Sequence, residues 1–134
     1  MMSKKELYKA KNLQFMQDLA TQEGIEALPG GLYYKCLEKG SGTLSPNARS
    51  IVTVYYKGSL IDGKVFDDTY HNDYPEAFRL SDVIVGWQIA LQKMHEGDHW
   101  LIYIPYDRAY GPKPNGSIPG FSTLIFEVTL IKIA

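Results

Sequence analysis

A chain of 134 residues with 14 Lys and Arg against 15 Asp and Glu carries a formal net charge of −1. That leaves no electrostatic footprint for nucleic acid or an anionic membrane. Its length fits about one domain, and its 45% hydrophobic and 22% charged residues are ordinary for a soluble globular protein. The single cysteine, Cys36, excludes an intrachain disulfide and reads as a small buried hydrophobe. Met1 to Asp18 is polar and lacks the apolar run of a signal peptide, and no stretch is long enough to span a bilayer. The expected location is the cytoplasm, without membrane insertion.

In chain order, residues 3–23 favour helix. Leu7, Lys11, Phe15 and Leu19 fall at four-residue steps, with Ala10 and Leu13 nearby. Ser3 with Glu6 fits a capping box and Gly24 a helix stop. Leu28-Pro29-Gly30-Gly31 breaks the chain before a strand over Leu32–Leu37. Ser50 to Tyr56 is a second strand, with Val52, Val54 and Tyr56 on one face, continuing toward a turn at Asp62-Gly63. Val65-Phe66-Asp67 resumes beyond the turn, residues 68–77 read as a loop, and Phe78-Arg79-Leu80 is a short strand.

Ser81 or Asp82 caps the next helix, in which Val83, Trp87, Ala90, Leu91 and Met94 share one face. Glu96-Gly97-Asp98 ends it. Trp100 to Ile104 is a strand stopped by Pro105, and residues 106–120 form a loop rich in Pro and Gly. Thr123 to Ile133 is the last strand, with Leu124, Phe126, Val128 and Leu130 on one face. The expected class is α+β: an antiparallel sheet of five or six strands wrapped around one short helix, with an additional N-terminal helix.

Reactive chemistry is hard to find. His95 and His99 are four apart, but Gly97 and Asp98 interrupt a shared helix, so they read as turn residues rather than metal ligands. Gly40-Ser41-Gly42 lacks the Lys and Ser or Thr of a phosphate loop. No Gly-x-Ser-x-Gly elbow occurs, and Asp67, Asp68 and Asp73 lack the spacing of a calcium loop. Two options remain: a binding module, or catalysis by desolvation and hydrogen bonding alone. Rotation about a prolyl peptide bond fits the second. It breaks no sigma bond, its barrier of about 18–20 kcal/mol comes from amide resonance, and it is slow unaided. The twisted transition state carries less charge separation than the planar amide, so an apolar pocket favours it.

Residues from about 32 to 133 resemble the FKBP-type peptidyl-prolyl cis-trans isomerases. Val54-Tyr55-Tyr56-Lys57-Gly58 looks like the family's second core strand, and Gly63-Lys64-Val65-Phe66-Asp67 its Gly-Lys-x-Phe-Asp segment. Val83-Ile84-Val85-Gly86-Trp87 is similar to Val-Ile-x-Gly-Trp, and Pro105 to Gly111 to Pro-x-x-x-Ala-Tyr-Gly. Ile118-Pro119 followed by Thr123 to Val128 resembles the closing loop and strand. Each segment alone is weak; their order and spacing together are specific. The helix leading into Leu28-Pro29-Gly30-Gly31-Leu32-Tyr33-Tyr34 is similar to bacterial members of the macrophage-infectivity-potentiator type. The implied division is an N-terminal helical extension over 1–28 and an isomerase domain over 29–134.

The resemblance implies Asp67, Tyr110 and Tyr56 as catalytic residues, and Phe66, Val83, Ile84, Trp87, Ile118 and Phe126 as substrate contacts. Trp87 is then the floor beneath the proline ring. The Ile84 N–H and the Tyr110 hydroxyl hold substrate carbonyls, and Asp67 sits near the twisting amide. No cofactor, metal or covalent intermediate is implied. The implied partners are proline-containing peptides and unfolded proteins, with macrolide immunosuppressants as candidate ligands, and the implied assembly is a monomer or weak dimer. Glu76 stands two residues before Phe78 where the family often has an aromatic, and the loop Gly111 to Ser117 has its own sequence. These departures motivate a second reading, an FKBP-fold binding module or chaperone with little turnover.

Overall fold

Alternation along the long strands builds the core. In the computed structural model, which describes residues 1–134, Val52 and Val54 on β3 (Ile51–Ser59) are fully buried, as are Leu124, Val128 and Leu130 on β7 (Leu124–Ile133). Ile102 and Ile104 do the same on β6 (His99–Ile104), and Trp100 is buried beside them. Period-two spacing puts these side chains on one face of the sheet. Burying each large aliphatic side chain contributes about 1.5–3 kcal/mol.

The sheet is wholly antiparallel, in the order β1-β2-β6-β7-β3-β4, with β1 at Glu26–Leu28, β2 at Leu32–Glu38 and β4 at Val65–Asp68. A further strand, β5 (Glu76–Arg79), pairs with β3 along Ile51 to Val54, while β4 pairs with it along Lys57 to Ser59. Between these two ladders the Thr69 hydroxyl accepts from the Tyr56 N–H at 2.9 Å, and the Thr69 N–H donates to the Tyr56 carbonyl at 2.8 Å. The short strand β1 lies in a segment that carries no strand pattern in the sequence; its pairing with β2 defines it.

The short helix α2 (Val85–Leu91) crosses the apolar face and buries Gly86, Trp87, Ala90 and Leu91. A Cβ on Gly86 would lie 2.4 Å from Ile104 Cγ2, so glycine sets how closely helix and sheet approach. The helix begins later than its capping pattern predicts. Leu80–Asp82 turn as a 3-10 segment, and Val83 and Ile84 are extended, with ψ of 171° and 151°. The Gln88 side chain reaches back to the Val83 carbonyl at 2.8 Å, which holds this pre-helical stretch in place. Met94 is buried beyond the last helical turn.

α1 (Lys4–Leu19) opens on the expected capping box between Ser3 and Glu6. Its inward face differs from the one the sequence suggests. Asn12, Met16 and Leu19 are buried, whereas Leu7 and Leu13 are 46% and 43% exposed. The apolar residues of the helix are spread around its circumference rather than gathered on one face, so a polar anchor at Asn12 decides which face turns inward. Phe15 meets Tyr103 on the sheet's outer surface, at a ring separation of 6.1 Å. Cys36 is exposed, contrary to expectation: β2 runs beyond the core after Tyr34, and Lys35 to Glu38 all lie at the surface. No helix is long and apolar enough to cross a membrane.

Candidate active site

A cleft of about 350 Å³ opens where α2, the pre-helical stretch and one end of the sheet meet. Tyr56, Phe66, Asp67, Phe78, Asp82, Val83, Ile84, Trp87, Tyr110 and Phe126 line it. Thus β3, β4, β5 and β7 each supply a wall, α2 the floor, and the loop after Pro105 one rim.

The floor is rigid. Trp87 is 4% exposed and meets Tyr56, Phe126 and Phe78 edge-on, at ring separations of 5.2, 5.3 and 5.9 Å. Such edge-to-face pairs each add about 0.5–1.5 kcal/mol beyond burial. Phe66 meets Phe126 the same way at 5.6 Å. Gly58 makes that meeting possible: it pairs across the sheet with both Phe126 and Asp67, and a Cβ there would lie 2.5 Å from the Phe66 ring and 2.8 Å from the Phe126 ring. The Trp87 indole N–H is buried without an acceptor, a deficit of about 1–3 kcal/mol that the surrounding ring contacts offset.

The polar groups are few. The Tyr56 hydroxyl donates to Asp67 Oδ2 at 2.5 Å. Burial first, then the hydrogen bond and negative charge of Asp67, push the Tyr56 phenol well above its ordinary value, so it remains a proton donor. The Ile84 N–H has no partner within the chain, because the helix begins after it; the Ile84 carbonyl accepts from Trp87 and Gln88. The Tyr110 hydroxyl, on a side chain 40% exposed, is likewise free of partners. Two donors therefore stand unpaired at an apolar concavity, and the lining holds no Ser, Cys, Lys or His that would attack a substrate. The arrangement can desolvate a small apolar ring and hold the carbonyls beside it.

Of the residues singled out in the sequence, Tyr56, Phe66, Asp67, Val83, Ile84, Trp87, Tyr110 and Phe126 come together here. Ile118 does not line the cleft. It is 7% exposed and belongs to the hydrophobic core, and its N–H and carbonyl are both bonded to Asn115 at 2.9 Å in a tight turn. Phe78 and Asp82 line the cleft but were read only as a strand residue and a helix cap. Asp82 stands immediately before Val83-Ile84 and lines the cleft because the chain there is extended rather than helical, whereas Phe78 reaches it from β5 through that strand's pairing with β3.

Residues 42–131 match the family model described as FKBP-type peptidyl-prolyl cis-trans isomerase. The chain is 44% identical to "Outer membrane protein MIP" of Legionella longbeachae over 97% of its own length and 56% of that protein. To the FKBP-type 22 kDa peptidyl-prolyl cis-trans isomerase of Escherichia coli it is 39% identical, over 92% of this chain and 60% of the relative. It therefore spans little more than half the length of these curated relatives. A crystal structure of a peptidyl-prolyl cis-trans isomerase from Pseudomonas syringae pv. tomato superposes with a TM-score of 0.90 at 36% identity, covering 100% of this chain and 98% of the other. FkpA from Escherichia coli gives a TM-score of 0.87 at 37% identity over 94% of this chain and 59% of that one. Since the matched segment runs from before β3 through most of β7 and so carries nearly every wall of the cleft, the chain belongs to the FKBP-type peptidyl-prolyl cis-trans isomerase family.

Proposed function

We propose that this chain accelerates cis–trans rotation of X-Pro bonds in peptides and unfolded proteins by non-covalent binding in the Trp87 cleft. The observation that carries this reading is the pairing of an aromatic floor and walls with two free donors, the Ile84 N–H and the Tyr110 hydroxyl. A proline ring stacked over Trp87 leaves its flanking carbonyls within the donors' reach. As the amide twists it loses resonance and charge separation; leaving water for an aromatic cleft therefore disfavours the planar state more than the twisted one. Asp67, fixed by Tyr56, stands beside the rotating carbonyl as the oriented dipole of the site. No bond forms or breaks, and no proton need be transferred.

The test is the rate of isomerisation of a short X-Pro peptide series at catalytic concentrations of the chain. Acceleration over the uncatalysed tens to hundreds of seconds is the expected result. No acceleration, with retained binding to an unfolded protein, would replace this reading by that of a binding module. We further propose that macrolide immunosuppressants occupy the same cleft and compete with peptide. Glu76, paired with Val54 on β5 two residues before the cleft residue Phe78, puts a carboxylate beside the cleft where an apolar ligand gains nothing from a charge, so competition should be weak. It is read as inhibition of the same rate.

A further inference from the structure

Three groups on α1 lead, contact by contact, to the rim of the cleft. Asn12 is 1% exposed in the middle of the helix, where asparagine is a poor helix former. Its side-chain oxygen accepts from the Thr123 N–H at 2.7 Å, and its amide donates to the Tyr8 carbonyl at 2.8 Å. One turn earlier, Tyr8 Oη lies 2.8 Å from Ser122 Oγ. Ser122 gives its only hydroxyl proton to the Pro119 carbonyl at 2.7 Å, so Tyr8 is the donor of this pair. Between them, Lys9 Nζ sits 4.7 Å from the centre of the Phe121 ring.

Phe121 is the only non-glycine residue with a left-handed backbone, at φ 64°. A bulky residue holds that conformation only where its surroundings over-determine it. Here the residues on its C-terminal side, Ser122 and Thr123, are both bonded to α1. In this conformation the Phe121 N–H donates to the Gly111 carbonyl at 2.9 Å, and its ring meets Tyr106 edge-on at 5.0 Å. The Gly111 N–H in turn donates to the Tyr106 carbonyl at 2.8 Å. Tyr110 lies between these two fixed points.

We propose that Asn12, assisted by Tyr8, is a positioning residue for Tyr110: α1 locks Phe121 in its left-handed turn, and Phe121 sets the loop that presents the Tyr110 hydroxyl to substrate. The inference rests on the isomerase reading of the cleft but has a readout of its own. α1 is then part of the site's machinery although none of its residues lines the cleft.

The experiment uses the full chain, with Asn12→Ala, Tyr110→Phe and the double variant. Each is assayed for kcat/KM on an X-Pro peptide well below its melting temperature, and each is examined by amide NMR. Asn12→Ala should lower kcat/KM roughly three- to tenfold, the worth of about one hydrogen bond. The double variant should lose no more than Tyr110→Phe alone, because residues acting through one another are not additive. The Tyr110, Gly111 and Phe121 amide signals should shift while those of β3 and α2 stay. Losses that multiply in the double variant, or an Asn12→Ala chain with wild-type turnover, would overturn the proposal. Should Asn12→Ala fail to fold, Tyr8→Phe, which removes only the hydroxyl to Ser122, carries the same comparison. If the wild type shows no isomerase activity, the function is wrong; unmoved Tyr110 and Gly111 signals in the variant then count against the positioning role separately.

Discussion

The cleft and the α1 junction treat hydrogen bonding in opposite ways. At the junction every polar group is committed: Asn12 donates and accepts, Ser122 does both, and the Thr123 N–H is capped in a buried setting. In the cleft, donors on Ile84 and Tyr110 point to no partner, and the Trp87 N–H is buried without one. A junction gains stability by satisfying its groups. A binding site withholds that satisfaction, so that a substrate can supply it. Polar satisfaction thus separates the two regions more sharply than hydrophobicity does, since Met16 and Leu19 make the junction apolar as well.

The largest effect expected falls where cleft and core coincide. Phe126 is 5% exposed and touches Trp87, Tyr56 and Phe66. Phe126→Ala should cost about 3–5 kcal/mol of stability, read as a lower denaturant midpoint, and remove isomerase activity with it. A stable variant that merely lost turnover would make this wall pure site rather than shared core.

Next come the groups that belong to the cleft alone. Tyr110→Phe and Asp67→Ala should each reduce kcat/KM about tenfold, the scale of one well-placed hydrogen bond; Tyr110→Phe should leave the denaturant midpoint unchanged, and Asp67→Ala should cost no more than the one bond it accepts from Tyr56, about 0.5–1.5 kcal/mol. Both side chains are exposed at the cleft, so stability has little to lose. A loss of stability in Tyr110→Phe matching its loss of activity would erase the contrast with Phe126.

Smaller still is an effect of pH. The Tyr34 phenol is pushed up to about 12, first by its 2.5 Å hydrogen bond to Glu26 and then by burial. The Tyr56 phenol moves in the same direction, burial coming first. Raised folded values mean that both contributions are fully present below the unfolded tyrosine value of about 10. They are lost as pH rises through the folded values. Stability should therefore fall from about pH 10 upward and should not change through these phenols near neutrality. Replacing Tyr34 by Phe should remove part of that decline.

The smallest effect tests which face of α1 is buried. Leu7→Ala, at an exposed position, should change stability by no more than about 0.5 kcal/mol, whereas a helix packed along Leu7 and Leu13 would lose several times that.

Much of this was legible in the chain. Strong period-two patterning in β3, β6 and β7 and the ordered segments around Phe66, Trp87 and Tyr110 gave the sheet, its helix and most of the cleft. The differences arise where hydrogen bonding or the reach of the core, rather than hydrophobic spacing, sets the local structure. Asn12 faces inward because Thr123 lies across from it. Cys36 is exposed because β2 outruns the core. Val83 and Ile84 stay extended because Gln88 caps the Val83 carbonyl. Ile118 turns into the core because Asn115 closes a turn beneath it. Local spacing carries none of these.

The split pairing along β3 has one more consequence. Its outer side is covered by two four-residue strands that part at Tyr56, with Thr69 filling the gap, and the opposite side of the sheet ends in the three-residue β1. Each margin exposes only short runs of open backbone groups, such as Lys35 to Glu38 on β2 beyond its pairing with β1, rather than the long row on which extended chains add as new strands and aggregate. Under the proposed reading the cleft takes extended polypeptide, the form in which such additions begin. On that reading, margins this short would let the chain hold a client by a proline side chain and release it, without becoming the next strand in the client's own misfolding.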